Sequence, residues 1–524
     1  MAAWQCRHRL RAGPLPAKIG PMLSVHYDSP PPPPPAAFNL AAHVLGRADA
    51  LPDKTALAIL SPTGAARWRY GALAQAVAGI GAGLLATGLQ PGDRLLMRLG
   101  NEVEFPLAFL GAIWAGILPI PASAALTVPE ISRIARETSP AAIVAAPDIS
   151  LPDPCPCPVI PALALREMEA SPPTGPALGD PDRAAYIVYT SGSAGRPRGV
   201  IHAHRAVWAR QMMWRDWYDL RESDRLLHAG SFNWTYTLGT GLLDPWAIGA
   251  TALIPAAGTK PQQLPLLLAR HDATLFAAAP GVYRQMLRDR PAMRLPKLRH
   301  GLSAGEKLPE ALRDAWQSAT GTAVHEALGM SECSTYLSGC PARPAPPGAS
   351  GFPQTGRRLA LLGPDGAPVP RGTPGVLAIH RDDPGLMLGY LDAPEETKAR
   401  FSGDWFLTGD MAQMDEAGAV TYLGRDDDMM NAGGFRVSPL EIEAALAGFP
   451  GLAEIACAEV EVKADTRVIG AFYSAPELLD EAALAAFAAE RLAAYKRPRL
   501  YRWLERLPRN SNGKIDRKSL SAVS

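Results

Sequence analysis

The densest chemistry in the sequence is the segment Tyr189-Thr190-Ser191-Gly192-Ser193-Ala194-Gly195-Arg196-Pro197-Arg198-Gly199-Val200, which directly follows an apolar stretch. Gly192, Gly195 and Gly199 let the backbone approach a ligand closely and turn N–H groups inward. Thr190, Ser191 and Ser193 add hydroxyl donors, and Arg196 and Arg198 add positive charge. Physically, that is a polyphosphate cradle. It is not a Walker A loop, because the Gly-Lys-Ser/Thr ending is missing and no helix begins at once. A Gly/Ser-rich surface loop has the same composition, so the segment alone decides nothing. Other reactive residues mean little singly. Lys514 alone would be an exposed lysine, and Asp426–Asp428 a solvated charge run. Cys155 and Cys157 form a C-x-C pair without a second pair or a nearby His, which reads as reduced loop cysteines and not as a zinc site.

The segment from Tyr189 to Val200 resembles the phosphate-binding signature of the acyl-adenylate-forming superfamily, which includes acyl-CoA synthetases, peptide-synthetase adenylation domains and luciferases. Six further blocks follow in the family's order. Ser303-Ala304-Gly305-Glu306 is similar to the adenine-side loop. Leu328-Gly329-Met330-Ser331-Glu332 is similar to an aromatic-Gly-x-Ser/Thr-Glu motif. Trp405-Phe406-Leu407-Thr408-Gly409-Asp410 supplies an aspartate. Gly424-Arg425-Asp426-Asp427-Asp428-Met429 and Gly433-Gly434-Phe435-Arg436-Val437 lead into a last domain, and Asn512-Gly513-Lys514-Ile515-Asp516-Arg517 closes the match, which spans roughly residues 37–518.

The resemblance implies roles. Thr190 and Glu332 hold Mg²⁺ on the phosphates of ATP, Asp410 accepts hydrogen bonds from the ribose hydroxyls, and Arg425 contacts the ribose. Lys514 bridges the substrate carboxylate and the α-phosphate, a task suited to a compact ammonium on a flexible stem. Asp427 matches the hinge about which the small domain rotates. That rotation withdraws Lys514 and brings the Gly433-Gly434 face, with Arg436, toward the acyl-adenylate, where glycines leave room for pantetheine. Two departures stand out: Arg198 replaces the usual lysine, and Leu328 replaces the aromatic residue that stacks on adenine.

The segment His228–Gly241 occupies the region of the acyl pocket. Amino-acid-activating relatives have an aspartate where this chain has Asn233, so an α-ammonium would be buried unpaired. The Tyr236-Thr237-Leu238-Gly239-Thr240-Gly241 ending resembles the benzoate-CoA ligase branch. Trp234, Tyr236, Gly239, Met330 and Tyr336 then imply a short, partly aromatic pocket, whereas Trp208, Met212 and Trp217 follow helical spacing and read as packing. The expected activity is that of an ATP-dependent carboxylic acid–CoA ligase for an aromatic or medium-chain acid, with ATP, Mg²⁺ and coenzyme A. The alternative acceptor is a separate carrier protein, although no carrier-like segment follows Arg517. A nucleotide-binding regulator without catalysis conflicts with the set Glu332, Asp410, Arg425 and Lys514.

These groups need a scaffold of matching size. The chain has 524 residues and is 47% hydrophobic, enough for two or three domains. A formal net charge of +1 argues against a globally basic nucleic-acid binder. Apolar runs at Ala56–Leu60, Arg94–Arg98, Ala142–Ala145 and Ala185–Tyr189, with helical stretches such as Tyr70–Thr87 between them, predict a largely parallel, helix-covered sheet. Arg358–Leu362, a Gly363-Pro364-Asp365-Gly366 turn and Val376–His380 predict a β-rich subdomain. Ser438 and Glu441 predict a capping box opening a small α+β domain, with a helix over Glu481–Ala494 and a strand over Leu500–Leu504. The expected fold class is therefore α/β, with 1–35 an Arg-rich, proline-ended extension that is disordered or targeting, 36–426 the large domain and 427–524 the small one. The uncharged run Phe105–Pro129 is broken by Pro119 and Pro121, which favours a buried helix over Leu107–Ile117 above a membrane span. Six cysteines without a framework fit a cytoplasmic protein. Oligomeric state stays open, a homodimer included.

Overall fold

The computed structural model describes residues 22–522 except 191–196, 289, 291, 433–434, 464–465 and 510–512. The dominant sheet has nine strands, of which Val324–Met330, His300–Ala304, Leu275–Ala278, Arg225–His228, Thr251–Pro255 and Thr55–Ser61 run parallel in that spatial order. These strands are apolar on both faces, as helix-covered parallel sheets require. Alternate residues feed opposite cores: Ala252 and Ile254 face one, and Leu253 faces the other with Leu227 and Phe276. A second, four-stranded parallel sheet contains Arg94–Arg98 and Ala142–Ala145.

The expected Ala185–Tyr189 strand runs as Ala184–Thr190, but it belongs to neither parallel sheet. It pairs antiparallel with Arg198–Ala203, with Thr190 opposite Arg198. Thr190 and Arg198, which flank the glycine-rich segment, are thereby held opposite each other on neighbouring antiparallel strands.

The β-rich subdomain is a six-stranded sheet in which Arg358–Leu362, Gly375–His380 and Trp405–Met414 are antiparallel neighbours and Val420–Arg425 pairs with Trp405–Met414. Its edge corrects the expectation of disorder for residues 22–35 of the extension; residues 1–21 lie outside the described residues. Val25–Tyr27 pairs antiparallel with strand Arg358–Leu362, Val25 lying opposite Ala360 and Tyr27 opposite Arg358. The proline run continues onto the body, where the Trp208 indole N–H donates to Pro32 O (2.8 Å) and the Gly356 N–H donates to Asp28 (2.9 Å). The folded large domain therefore includes residues from Leu23 onward, bound by backbone pairing that composition does not reveal.

In the small domain, Glu454–Lys463, Thr466–Ser474 and Leu500–Trp503 form a sheet backed by helices Pro439–Leu446 and Glu481–Arg491. Its own core includes Ile442, Leu446, Cys457, Tyr473, Leu484 and Ala488. The Ser438 hydroxyl caps the first helix by accepting from Glu441 N–H, but the box is half made, because Glu441 pairs with Lys496 (2.5 Å) instead. The Phe105–Pro129 run forms helix Glu104–Trp114 and strand Leu118–Pro121. Among the described residues, no helix is long and apolar enough to cross a membrane.

Candidate active site

A cleft of about 1440 Å³ separates the large domain from the small one. It gathers Thr190, Arg198, Gly305, Glu306, Leu328, Gly329, Met330, Ser331, Glu332, Asp410, Arg425, Asp427 and Lys514 from strands, turns and loops spread over more than 300 residues. Ser191, Gly192, Ser193, Gly195, Gly433 and Gly434 lie outside the described residues, as does the side chain of Arg436.

Asp410, Glu332, Arg425 and Lys514 are charged groups that face the cleft. Asp410 and Arg425 face each other across neighbouring antiparallel strands, and Arg425 Nη1 donates to Asp410 Oδ1 (2.9 Å) and Thr408 O (3.0 Å). Gly409 has φ +76° and passes so close to the guanidinium that a Cβ there would lie 2.8 Å from it. Burial pushes the Asp410 carboxyl up, and the Arg425 charge opposes that shift. Glu332 sits in the turn joining strands Val324–Met330 and Ser334–Ser338, where it accepts from the Tyr390 hydroxyl (2.8 Å). Lys514 enters from the small domain. Burial pulls its ammonium below the ordinary lysine range, while Glu306, Asp410 and Glu332 pull the other way.

The lysine loop is held from both sides. Gly513, at φ +80°, supplies the left-handed turn, and Arg509 Nη1 donates to Gly513 O (2.6 Å). Arg509 also reaches Glu454 (2.8 Å), which receives Arg284 of the large domain at 2.6 Å.

Arg198 lines the cleft, but its guanidinium is engaged by a carboxylate from the same wall. It makes a two-point ion pair with Glu396 (2.5 and 2.7 Å), on helix Pro394–Ala399. Sequence reading missed Glu396, Tyr390, Glu454 and Arg284, whose partners are remote in the chain. Only the Glu395-Glu396 pair opening a short helix gave any local sign.

Behind the cleft lies a recess of about 100 Å³ that shares Gly305, Gly329, Met330, Ser331 and Lys514 with it. Trp234, Tyr236, Gly239 and Ala304 line the recess, with Tyr186, His202, Arg210, Thr240 and Ser334. His202 stacks on Tyr186 (4.9 Å between centroids) and hydrogen-bonds Ser331 O through Nε2 (2.8 Å). Burial pushes its pKa down to about 4, so the ring is neutral and Nε2 carries the donated proton. Two expected site residues lie elsewhere. Tyr336 is fully buried beneath the cleft and donates to Asp410 Oδ2 (3.4 Å), so it supports that carboxylate and lines no acid pocket. Ser303 is buried within its strand, one residue short of the recess.

A family model described as AMP-binding enzyme matches residues 46–391, and one described as AMP-binding enzyme C-terminal domain matches residues 441–514. The chain belongs to the AMP-binding enzyme family. The class is that of AMP-forming acid–thiol ligases. Within the family it is 32% identical to a benzoate–CoA ligase of Thauera aromatica, over 88% of this chain and 91% of that protein. It is 29% identical to a 3-hydroxybenzoate–CoA ligase of Aromatoleum sp. (strain CIB), over 92% of this chain and 96% of that one. Its fold is similar to an anthranilate CoA ligase solved in complex with anthranoyl-AMP, with a TM-score of 0.84, 26% identity, and coverage of 93% of this chain and 98% of that one.

Proposed function

We propose that the protein joins an aromatic carboxylic acid to coenzyme A in two steps, with ATP converted to AMP and pyrophosphate. A carboxylate oxygen of the acid attacks the α-phosphorus, and the bond to the bridging oxygen of pyrophosphate breaks. The thiol sulfur of coenzyme A then attacks the acyl carbon, the acyl–oxygen bond to AMP breaks, and the thiol proton leaves. The observation that carries this reading is Lys514 at the junction of cleft and recess, where among the described residues it is the one cation that lines both spaces.

Each group has a physical task in that scheme. The ammonium of Lys514 neutralises charge on the attacking carboxylate and the α-phosphate, because two anions must meet. Asp410, fixed by Arg425 and Tyr336, presents its carboxylate to ribose hydroxyls. Glu332 and Thr190 suit a magnesium ion. Among the described residues no group of three or more acids, histidines or cysteines could hold a metal by itself. A Mg²⁺ ion bound by one carboxylate and the triphosphate needs no such group, and it would draw negative charge off the phosphates. A recess of about 100 Å³ that opens into the cleft has room for one ring at most, being below the ~150 Å³ of a closed cavity that takes benzene, and argues against a medium-chain acid. Asp427, in the short turn Asp426–Asp428 after strand Val420–Arg425, serves as the hinge between the two half-reactions in this scheme.

The test is ATP–pyrophosphate exchange across a panel of aromatic and aliphatic carboxylic acids, repeated with coenzyme A and thioester detection. Exchange with arene carboxylates and thioester formation on adding coenzyme A are expected. Exchange confined to aliphatic acids, or no thioester with coenzyme A, would overturn the reading.

A further inference from the structure

One wall of the recess is polar in a way the reaction itself does not require. Arg210 lines it, and its guanidinium is anchored from behind by Asp244: Nε donates to Oδ1 (2.8 Å) and Nη2 to Oδ2 (2.6 Å). Asp244 is fully buried, does not line the recess, and also accepts from the Tyr218 hydroxyl (2.8 Å). The remaining terminal nitrogen, Nη1, donates to Ser334 Oγ (2.6 Å), and Ser334 lines the recess too. Gly239 makes room for this arrangement. A Cβ there would lie 2.2 Å from Arg210 Cζ, so the guanidinium lies flat on bare backbone.

The charges decide what such a wall can accept. Arg210 and Asp244 form a matched pair with no net charge, so a second carboxylate on the ring would be buried as an uncompensated anion. A neutral oxygen incurs no such cost and offers the Ser334 hydroxyl, which lines the recess beside Arg210 Nη1, a better acceptor than Met213 Sδ. An unsubstituted ring leaves the Ser334 hydroxyl with only a weak thioether acceptor, Met213 Sδ at 3.7 Å.

We infer that Arg210 and Ser334 form a specificity subsite that reads a neutral hydrogen-bond-accepting substituent, such as a hydroxyl, on the ring of the acid. The inference rests on the aromatic acid–CoA ligase reading above. Arg210 and Ser334 are specificity-determining residues here, apart from the chemistry at Lys514.

The experiment compares kcat/KM for benzoate, its three hydroxy isomers and the benzene dicarboxylates. At least one hydroxy isomer should exceed benzoate by about tenfold or more, and the dicarboxylates should be poor substrates. Ser334→Ala should cut the hydroxybenzoate-to-benzoate ratio by about tenfold while leaving the Arg210–Asp244 pair in place. The double variant Arg210→Met with Asp244→Leu should remove the preference without leaving a lone buried carboxylate. The ratio is taken on one preparation, so the folded fraction cancels, and a purely structural role would lower all acids alike. Benzoate turnover without any hydroxyl preference, or a ratio unmoved in both variants, would overturn the inference alone. Exchange with no arene carboxylate at all would overturn the ligase reading and the inference together.

Discussion

At the scale of single residues, Lys514 concentrates the consequences. Lys514→Ala should lower acyl-adenylate formation by about 10²–10³-fold while largely sparing thioester formation from supplied acyl-adenylate. Equal loss in both half-reactions would count against a lysine used in only one domain orientation. The same residue gives a pH dependence. Its charged form does the work, and burial lowers its pKa against the pull of Glu306, Asp410 and Glu332. Adenylation should therefore decline as pH rises through a range below that of an ordinary lysine, and pyrophosphate exchange against pH checks this. An alkaline limb no earlier than a free lysine's would contradict it. Lys514, Asp410 and Arg425 were legible because their motifs are local in sequence. Arg198 was legible only as a cation. Its partner Glu396 is 198 residues away, and no local pattern signals a contact that tertiary packing makes.

At the scale of elements, the lysine loop and the large domain meet through Glu454, at the start of strand Glu454–Lys463. Arg284 comes from helix Pro280–Leu287 and Arg509 from the segment leading to Gly513. This ion-pair chain favours the orientation in which Lys514 faces the cleft. The groups are partly exposed, so the effect is modest: Glu454→Gln should slow adenylation about two- to fivefold and leave thioester formation from acyl-adenylate unchanged or faster. Measuring both half-reactions on one sample checks it, and a uniform loss would point to general destabilisation. Periodicity found most elements, since Arg94–Arg98, Ala142–Ala145 and Arg358–Leu362 run between the residues expected. It misassigned Ala184–Thr190 to a parallel sheet, because an apolar run reads alike in either partner direction.

At the scale of the whole molecule, two bodies joined at Asp426–Asp428 must take up different orientations if one cleft serves two half-reactions. Asp427→Pro fixes φ near −65° and should hold one of them. If the adenylating orientation is retained, exchange should persist and thioester production should fall by orders of magnitude. Full thioester synthesis in the variant would remove Asp427 from the mechanism. The strand Val25–Tyr27 was not legible, because three residues beside a proline run carry no periodicity. That strand has a consequence for solubility. It occupies the open side of Arg358–Leu362, whose Leu359 and Leu361 face the core, and Tyr27 lies under the Arg358 guanidinium (4.4 Å). A variant beginning at Ala36 would leave a row of unsatisfied backbone donors and acceptors along an apolar strand, a template onto which another molecule can add its own strand. Such a variant should melt a few degrees lower and self-associate with rising concentration, which light scattering would register; a monodisperse variant with unchanged melting would mean that the sheet does not need its first strand as a guard.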